Sequence, residues 1–136
     1  MQLNAYRHFN GQCEDAFKFY QKCLNGQMKT MLSYGDSPGD SDVAADWRGK
    51  IMHACLVVGN TTLMASDGPA SRYAKPQGFS VNIATNDPAE AERVFQAMSE
   101  NGQVIMPLQE TFRALRFGMF TDRFGIGWMV NCEKAA

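Results

Sequence analysis

Residue types that could do chemistry are few in this chain and widely spaced. Histidine occurs twice, at His8 and His53, and cysteine four times, at Cys13, Cys23, Cys55 and Cys132. Two imidazoles are therefore the most that any site can hold, and an imidazole can take or give a proton near neutral pH. His53 reads either as a structural histidine hydrogen-bonded across a sheet or as a neutral base that touches a ligand. The cysteines fall at unrelated spacings with no CxxC pair, which supplies neither a zinc site nor a redox dithiol. Buried free thiols are the simple reading. Cys13 falls at a helix start, where the dipole can lower a thiol pKa, but no histidine lies near it in sequence to act as its base.

The acidic residues look structural. Asp67 and Asp122 each precede a glycine-containing bend and read as turn residues. Asp36, Asp40, Asp42 and Asp46 lack the EF-hand spacing and read as a solvated face. The glycines form neither GxGxxG after a strand nor GxxxxGK[ST], which argues against nucleotide or S-adenosylmethionine recognition through those loops. One further group is apolar. FTDRFGIGWMVN, residues 120 to 131, is an apolar run, a polar turn and a second apolar run. Alternation along the second arm puts Ile126, Trp128 and Val130 on one face and Gly127, Met129 and Asn131 on the other.

The elements that must position these residues come in two sets. CEDAFKFYQKCL, residues 13 to 24, places Ala16, Phe19, Tyr20 and Cys23 on one helical stripe, and DPAEAERVFQAMSE, residues 87 to 100, does the same with Ala91, Val94, Phe95 and Met98. A shift of 75 positions superposes EDAFKFYQ on AEAERVFQ, a faint internal repeat. Asp87 is the expected N-cap with Pro88 at the first helical position, and Asn25-Gly26 and Asn101-Gly102 supply left-handed residues at the helix ends. Before the first helix lies LNAYRHF, and after it QMKTMLSY, KIMHACLVV and TTLMAS; the second is preceded by GFSVNIAT and followed by QVIMPLQE, ALRFGMF and GIGWMVN. The order is strand, helix, three strands, twice over. It predicts an α+β chain of one domain, with a first module over about 1–66, a turn-rich linker over about 67–76 and a second module over about 77–136. The segment GDSPGDSDVAADWRG, residues 35 to 49, is long for a connection inside a compact domain.

Composition excludes several partners. With 136 residues the chain suits one core that buries about two-thirds of the unfolded surface. Thirteen basic against 14 acidic side chains leave no electrostatic footprint for nucleic acid or anionic lipid. No apolar run approaches membrane-spanning length, and the start MQLNAYRHFNGQ lacks the layout of a signal peptide, so the expected location is cytoplasmic.

The stretches YRHFNGQCEDAFKFY at 6 to 20, KIMHACLVVG at 50 to 59, LMASD at 63 to 67 and FGMFTDRFGIGWMVN at 117 to 131 carry a family resemblance. The chain resembles the vicinal oxygen chelate superfamily, which includes glyoxalase I, bleomycin resistance proteins and extradiol dioxygenases. More narrowly it is similar to the PhnB-like branch, whose members carry the label demethylubiquinone methyltransferase. The resemblance implies two tandem βαβββ modules whose mixed sheet curves around a cleft, and it implies a homodimer. In the superfamily, four inward-facing positions supply ligands to one divalent ion. Carried over residue by residue, they fall on Ala5, on Met64 or its neighbour Ala65, on Ser80 and on Met129. None is a ligand for a hard divalent ion, since thioether sulfur suits soft metals. No metal and no cofactor are expected.

A cleft with apolar walls and scattered polar groups suits a small molecule. Met64, Phe117, Met119 and Met129 are the candidate walls, or plain core packing, since methionine fills cores as readily. Arg7, His53, Ser66, Ser80 and Asn82 are the candidate polar points; alternation on the first strand leaves open whether Arg7 or His8 faces inward. Three functions fit: a metal-free binding protein for a small organic molecule, a metal-dependent lyase, isomerase or dioxygenase with an atypical site built on His53, and a structural or regulatory dimer whose cleft is filled by its own side chains. The sequence names no ligand.

Overall fold

A computed structural model describes residues 1–37 and 43–134 of the chain. Two units, Met1–Ala74 and Lys75–Ala136, repeat one plan. In the first, strand β1 (Ala5–Phe9) leads to helix α1 (Cys13–Leu24), then β2 (Gln27–Ser33), β3 (Ile51–Val58) and β4 (Thr61–Asp67). In the second, β5 (Val81–Ala84) leads to α2 (Pro88–Ser99), then β6 (Gln103–Gln109), β7 (Ala114–Thr121) and β8 (Gly127–Glu133). The sheets run β1-β4-β3-β2 and β5-β8-β7-β6. In both, the first and last strands of the unit pair in parallel and the remaining neighbours are antiparallel. The strand–helix–three-strand order expected from periodicity is therefore the order observed, with the same topology in both halves.

Each helix is held by its apolar stripe. On α1 the buried residues are Cys13, Ala16, Phe17, Tyr20 and Cys23. The stripe thus turns toward Phe17, and Phe19, which the sequence placed on it, is only half-buried. The stripe meets Phe9, Ala54, Leu56 and Ala65, all fully buried. On α2 the buried set Ala91, Val94, Phe95 and Met98 is the one expected. Phe95 packs edge-on to Phe120 at 5.2 Å, and Phe120 stacks on Trp128 at 6.5 Å. Each such fully buried aromatic contributes about 1.5–3 kcal/mol of transfer free energy. Gly118 is needed here because a Cβ at that position would lie 2.6 Å from the Phe95 ring.

The helix ends are closed differently in the two units. Asp87 caps its own helix, accepting from Ala89 N at 3.0 Å, with Pro88 in the first turn. Gln12, at the cap position of α1, makes no side-chain bond. Its place is taken by the buried carboxylate of Asp67 at the end of β4, which accepts from Gly11 N at 2.9 Å, Cys13 N at 3.0 Å and Ile51 N at 2.8 Å. Asp67 is thus more than the turn residue the sequence suggested. Asn25 and Asn101 take the left-handed conformation after the helices, with φ of 54° and 61°.

Two stretches depart from expectation. The strand read in GFSVNIAT begins only at Val81, so Phe79 and Ser80 precede it, and the Phe79 ring is 54% exposed instead of packed with Val81 and Ile83. In the long 35 to 49 excursion, Gly35 N donates to Arg48 O at 2.8 Å, closing a loop that contains a turn of 3-10 helix at Ala45–Trp47. Asp36 and Asp46 are exposed, whereas Asp40 and Asp42 lie outside the described residues.

Candidate functional site: two open sheet faces

Each sheet has one face under its helix and one without. The register assigns side chains to the open faces. In the first unit, Tyr6, Met64 and Cys55 form one row across β1, β4 and β3, and His8 pairs with Ser66 in a second. His53 lies on the same face of β3, two residues from Cys55. The Tyr6 and His53 rings stack at 6.0 Å, and the Tyr6 hydroxyl is 3.4 Å from His53 Nδ1. Of the sequence candidates, His53, Met64 and Ser66 therefore share one surface. Arg7 does not join them. It shares its side of β1 with Phe9, whose ring packs edge-on against Phe17 of α1, and it is 8% exposed.

This arrangement changes one carried-over position. Ala5 alternates with Tyr6 and so belongs with Arg7 and Phe9 on the helix side of β1. Tyr6 and His8 are the open-face residues of this strand, and the sequence left Tyr6 out entirely. Its signal was the pairing of Phe9 with the helix stripe.

In the second unit, one row crosses all four strands: Asn82, Met129, Met119 and Met106. The next row contains Ala84, Asn131, Phe117 and Gln109. Asn82, Phe117, Met119 and Met129 are thus on one face, together with Met106, which sequence reasoning did not single out. Met119, Met129 and Phe117 are half-buried, whereas Trp128 and Val130, their alternates, are buried under α2. Ser80 precedes β5 and places its Oγ 3.4 Å from where a Cβ would stand on Gly127. A hollow of about 500 Å³ opens at the Phe117 end, bounded by Met106, Phe112, Arg113, Phe117, Asn131 and Glu133. Met119 and Met129 lie one row further along the face and do not border it.

The positions equivalent to a chelate site are poor donors. The carried-over positions Ala5, Met64 or Ala65, Ser80 and Met129 offer only methyl, thioether and hydroxyl groups, poor ligands for a hard divalent ion. Among the described residues, no three His, Cys, Asp or Glu side chains come together as a metal site would need. Cys13 is also a poor nucleophile. Its thiol is fully buried, and desolvation first, then the nearby charges of Asp67 and Glu14, push its pKa well up from the usual thiol value. Cys23 and Cys132 are buried thiols that form no disulfide, and Cys55 is half-buried.

Comparison with known proteins gives these geometries a context. The family model for 3-demethylubiquinone-9 3-methyltransferase matches residues 3–131. The chain belongs to that family, the PhnB-like branch of the vicinal oxygen chelate superfamily. The protein YjdN of Escherichia coli K12, a similar chain, is 32% identical over 142 residues, which cover 98% of this chain and 97% of that one. The crystal structure of protein PA1353 from Pseudomonas aeruginosa is 50% identical, covers 99% of each chain and superposes with a TM-score of 0.90. The fosfomycin resistance protein FosX from Listeria monocytogenes shares the fold at 7% identity, with a TM-score of 0.67 over 98% of this chain and 92% of that one. The architecture is that of the glyoxalase/bleomycin resistance fold, as the resemblance implied. No helix among the described residues is long and apolar enough to cross a membrane.

Proposed function

We propose that this PhnB-like protein binds a small organic molecule with an apolar body on the open face of its second sheet, without a metal. The observation that carries the reading is the row Asn82–Met129–Met119–Met106 beside the hollow at Phe117. Thioether and aromatic surface supplies contact area there, and Asn82 and Asn131 supply amide groups that fix orientation. Methionine adapts its three rotatable bonds to irregular ligands. The hollow, about 500 Å³, falls in the range of small-molecule sites. The donor set at the chelate positions supports the absence of a metal from the chemistry. The methyltransferase name of the family finds no support in a glycine-rich loop of the kinds that hold nucleotides.

The test uses anilinonaphthalene sulfonate as a fluorescent probe on the purified chain. Saturable enhancement that weakens about fivefold or more in Phe117→Ala supports the site, on the scale of about 1 kcal/mol for partial loss of one apolar side chain. An unchanged titration in that variant refutes it. Metal analysis of protein purified without chelator decides against the reading in favour of a metal-dependent lyase, isomerase or dioxygenase if one equivalent of ion is found.

The homodimer implied by the resemblance has a candidate surface of its own. Strand β6 is one edge of its sheet, and its Ile105 is 56% exposed. The run QVIMPLQ has no charge, so two copies meeting around a twofold axis bring no like charges together. A loss of dimer by Ile105→Lys in sedimentation equilibrium is the expected result, and a chain that is monomeric before the substitution rejects it.

A further inference from the structure

Among the described residues, Arg7 is a permanent cation enclosed without a paired acid. It is 8% exposed, and among the described residues no carboxylate pairs with it. Its Nε is buried and has no hydrogen-bond partner. The guanidinium lies 4.7 Å from the Phe9 ring centroid and 5.8 Å from that of Tyr73, and its one hydrogen bond, to the Tyr73 hydroxyl, is long at 3.5 Å. Cation–π contacts compensate only part of the lost hydration, and a buried charge without a counter-charge is costly. Both rings that flank Arg7, and the hydroxyl it reaches, border one cavity of about 370 Å³ beside Ser66 and Arg72. The charged groups and imidazole around that cavity are Arg72, Asp67 and His8, with the phenols of Tyr34 and Tyr73 beside them. The one acid among them is already committed, since its two carboxylate oxygens accept three backbone N–H bonds.

We propose that this cavity is an oxyanion site, in which Arg72 and the Tyr73 hydroxyl receive the carboxylate or phosphate group of a small ligand, while Arg7, which does not itself line the cavity, supplies positive charge from behind Phe9 and Tyr73. The planar guanidinium of Arg72 matches the geometry of such groups, and the Tyr73 hydroxyl, which accepts from Arg7, keeps its own proton to donate to the anion. The proposal rests on residues of the first unit alone and does not depend on the ligand site proposed for the second.

The test is thermal unfolding of the purified chain in chloride buffer, with inorganic phosphate or acetate added at constant ionic strength. The expected result is a rise in Tm of about 3 °C or more with millimolar phosphate, acetate or both, since an ion that binds only the folded state stabilises it. A response to phosphate alone assigns a phosphoryl group, and a response to acetate assigns a carboxylate. In Arg7→Met the rise disappears, while the Tm in chloride stays the same or increases because an unpaired buried charge has been replaced by apolar volume. If Arg7→Met does not fold, Tyr73→Phe serves instead, with its response to the anion reduced at least twofold. A wild-type Tm that moves with neither anion overturns the proposal, as does an anion response that survives in Arg7→Met.

Discussion

Met119 of β7 and Met129 of β8 stand directly opposite one another on the open face of the second sheet. Both are half-buried, so neither is a full core residue. Replacing either with alanine is expected to cost about 1 kcal/mol, well below the 2–5 kcal/mol of a fully enclosed methionine. Because the two are direct cross-strand neighbours, the double variant is expected to depart from the sum of the singles by about 0.5 kcal/mol or more. Urea unfolding of the four proteins checks this. A loss of core size from either substitution would mean that the face is covered.

Asp67→Asn tests the junction of β1, α1 and β3. The amide presents an N–H₂ group where the carboxylate had accepted from three backbone donors, which leaves at least one buried donor facing another. The expected loss is about 3 kcal/mol in urea or thermal unfolding. Asp36→Asn, at an exposed acid, stays within about 0.5 kcal/mol of wild type. Equal effects at the two positions would contradict the assignment.

The buried thiol of Cys13 makes stability depend on alkaline pH. Its pKa is raised on folding from 9.0, the value expected of an unfolded chain. The unfolded state then releases a proton above that pH while the folded state keeps it, so the stabilising contribution is present below pH 9 and is lost as pH rises. The slope approaches about 1.4 kcal/mol per pH unit from this one group. Comparing wild type with Cys13→Ala between neutral and alkaline pH isolates it, and parallel curves would rule it out. Iodoacetamide should also modify Cys13 far more slowly in the folded than in the unfolded chain.

Gly118→Ala places a methyl group against the Phe95 ring and the backbone of Leu108. Neither α2 nor β6 can yield without disturbing the stack of Phe95, Phe120 and Trp128. The expected cost is about 2 kcal/mol, the scale of overpacking in a filled core. Gly49→Ala, where nothing lies within 4 Å of the added atom, is the control and should change little. A neutral Gly118→Ala would show that the ring moves freely.

Much of this architecture is legible from periodicity. The α1 and α2 spans, the three strands after each helix, the Asp87 cap and the placing of Met129 on the sheet face opposite Trp128 and Val130 follow from spacings of two and of three to four residues, which are local. What the sequence hides depends on distance or on a packing partner. Tyr6 was missed because both alternate sets on β1 mix polar and apolar residues, so alternation alone did not choose the open face. Phe19 was given to the buried stripe in place of Phe17 because both positions are aromatic and only the packing partner, Phe9, chooses between them. Phe79 looked like strand core, but β5 is four residues long and starts after it. That no carboxylate pairs with Arg7 among the described residues has no sequence signal, since it depends on where distant acids end up.

Asp67 has a consequence for how the first unit is made. Its donors come from residues 56, 54 and 16 positions away along the chain, one from the turn after β1, one from the start of α1 and one from the start of β3. A fragment that holds only β3 and β4 satisfies one of these bonds, and a fragment that ends before β4 satisfies none. The first half of the molecule is consequently completed from its far end, by a side chain synthesised after everything it joins.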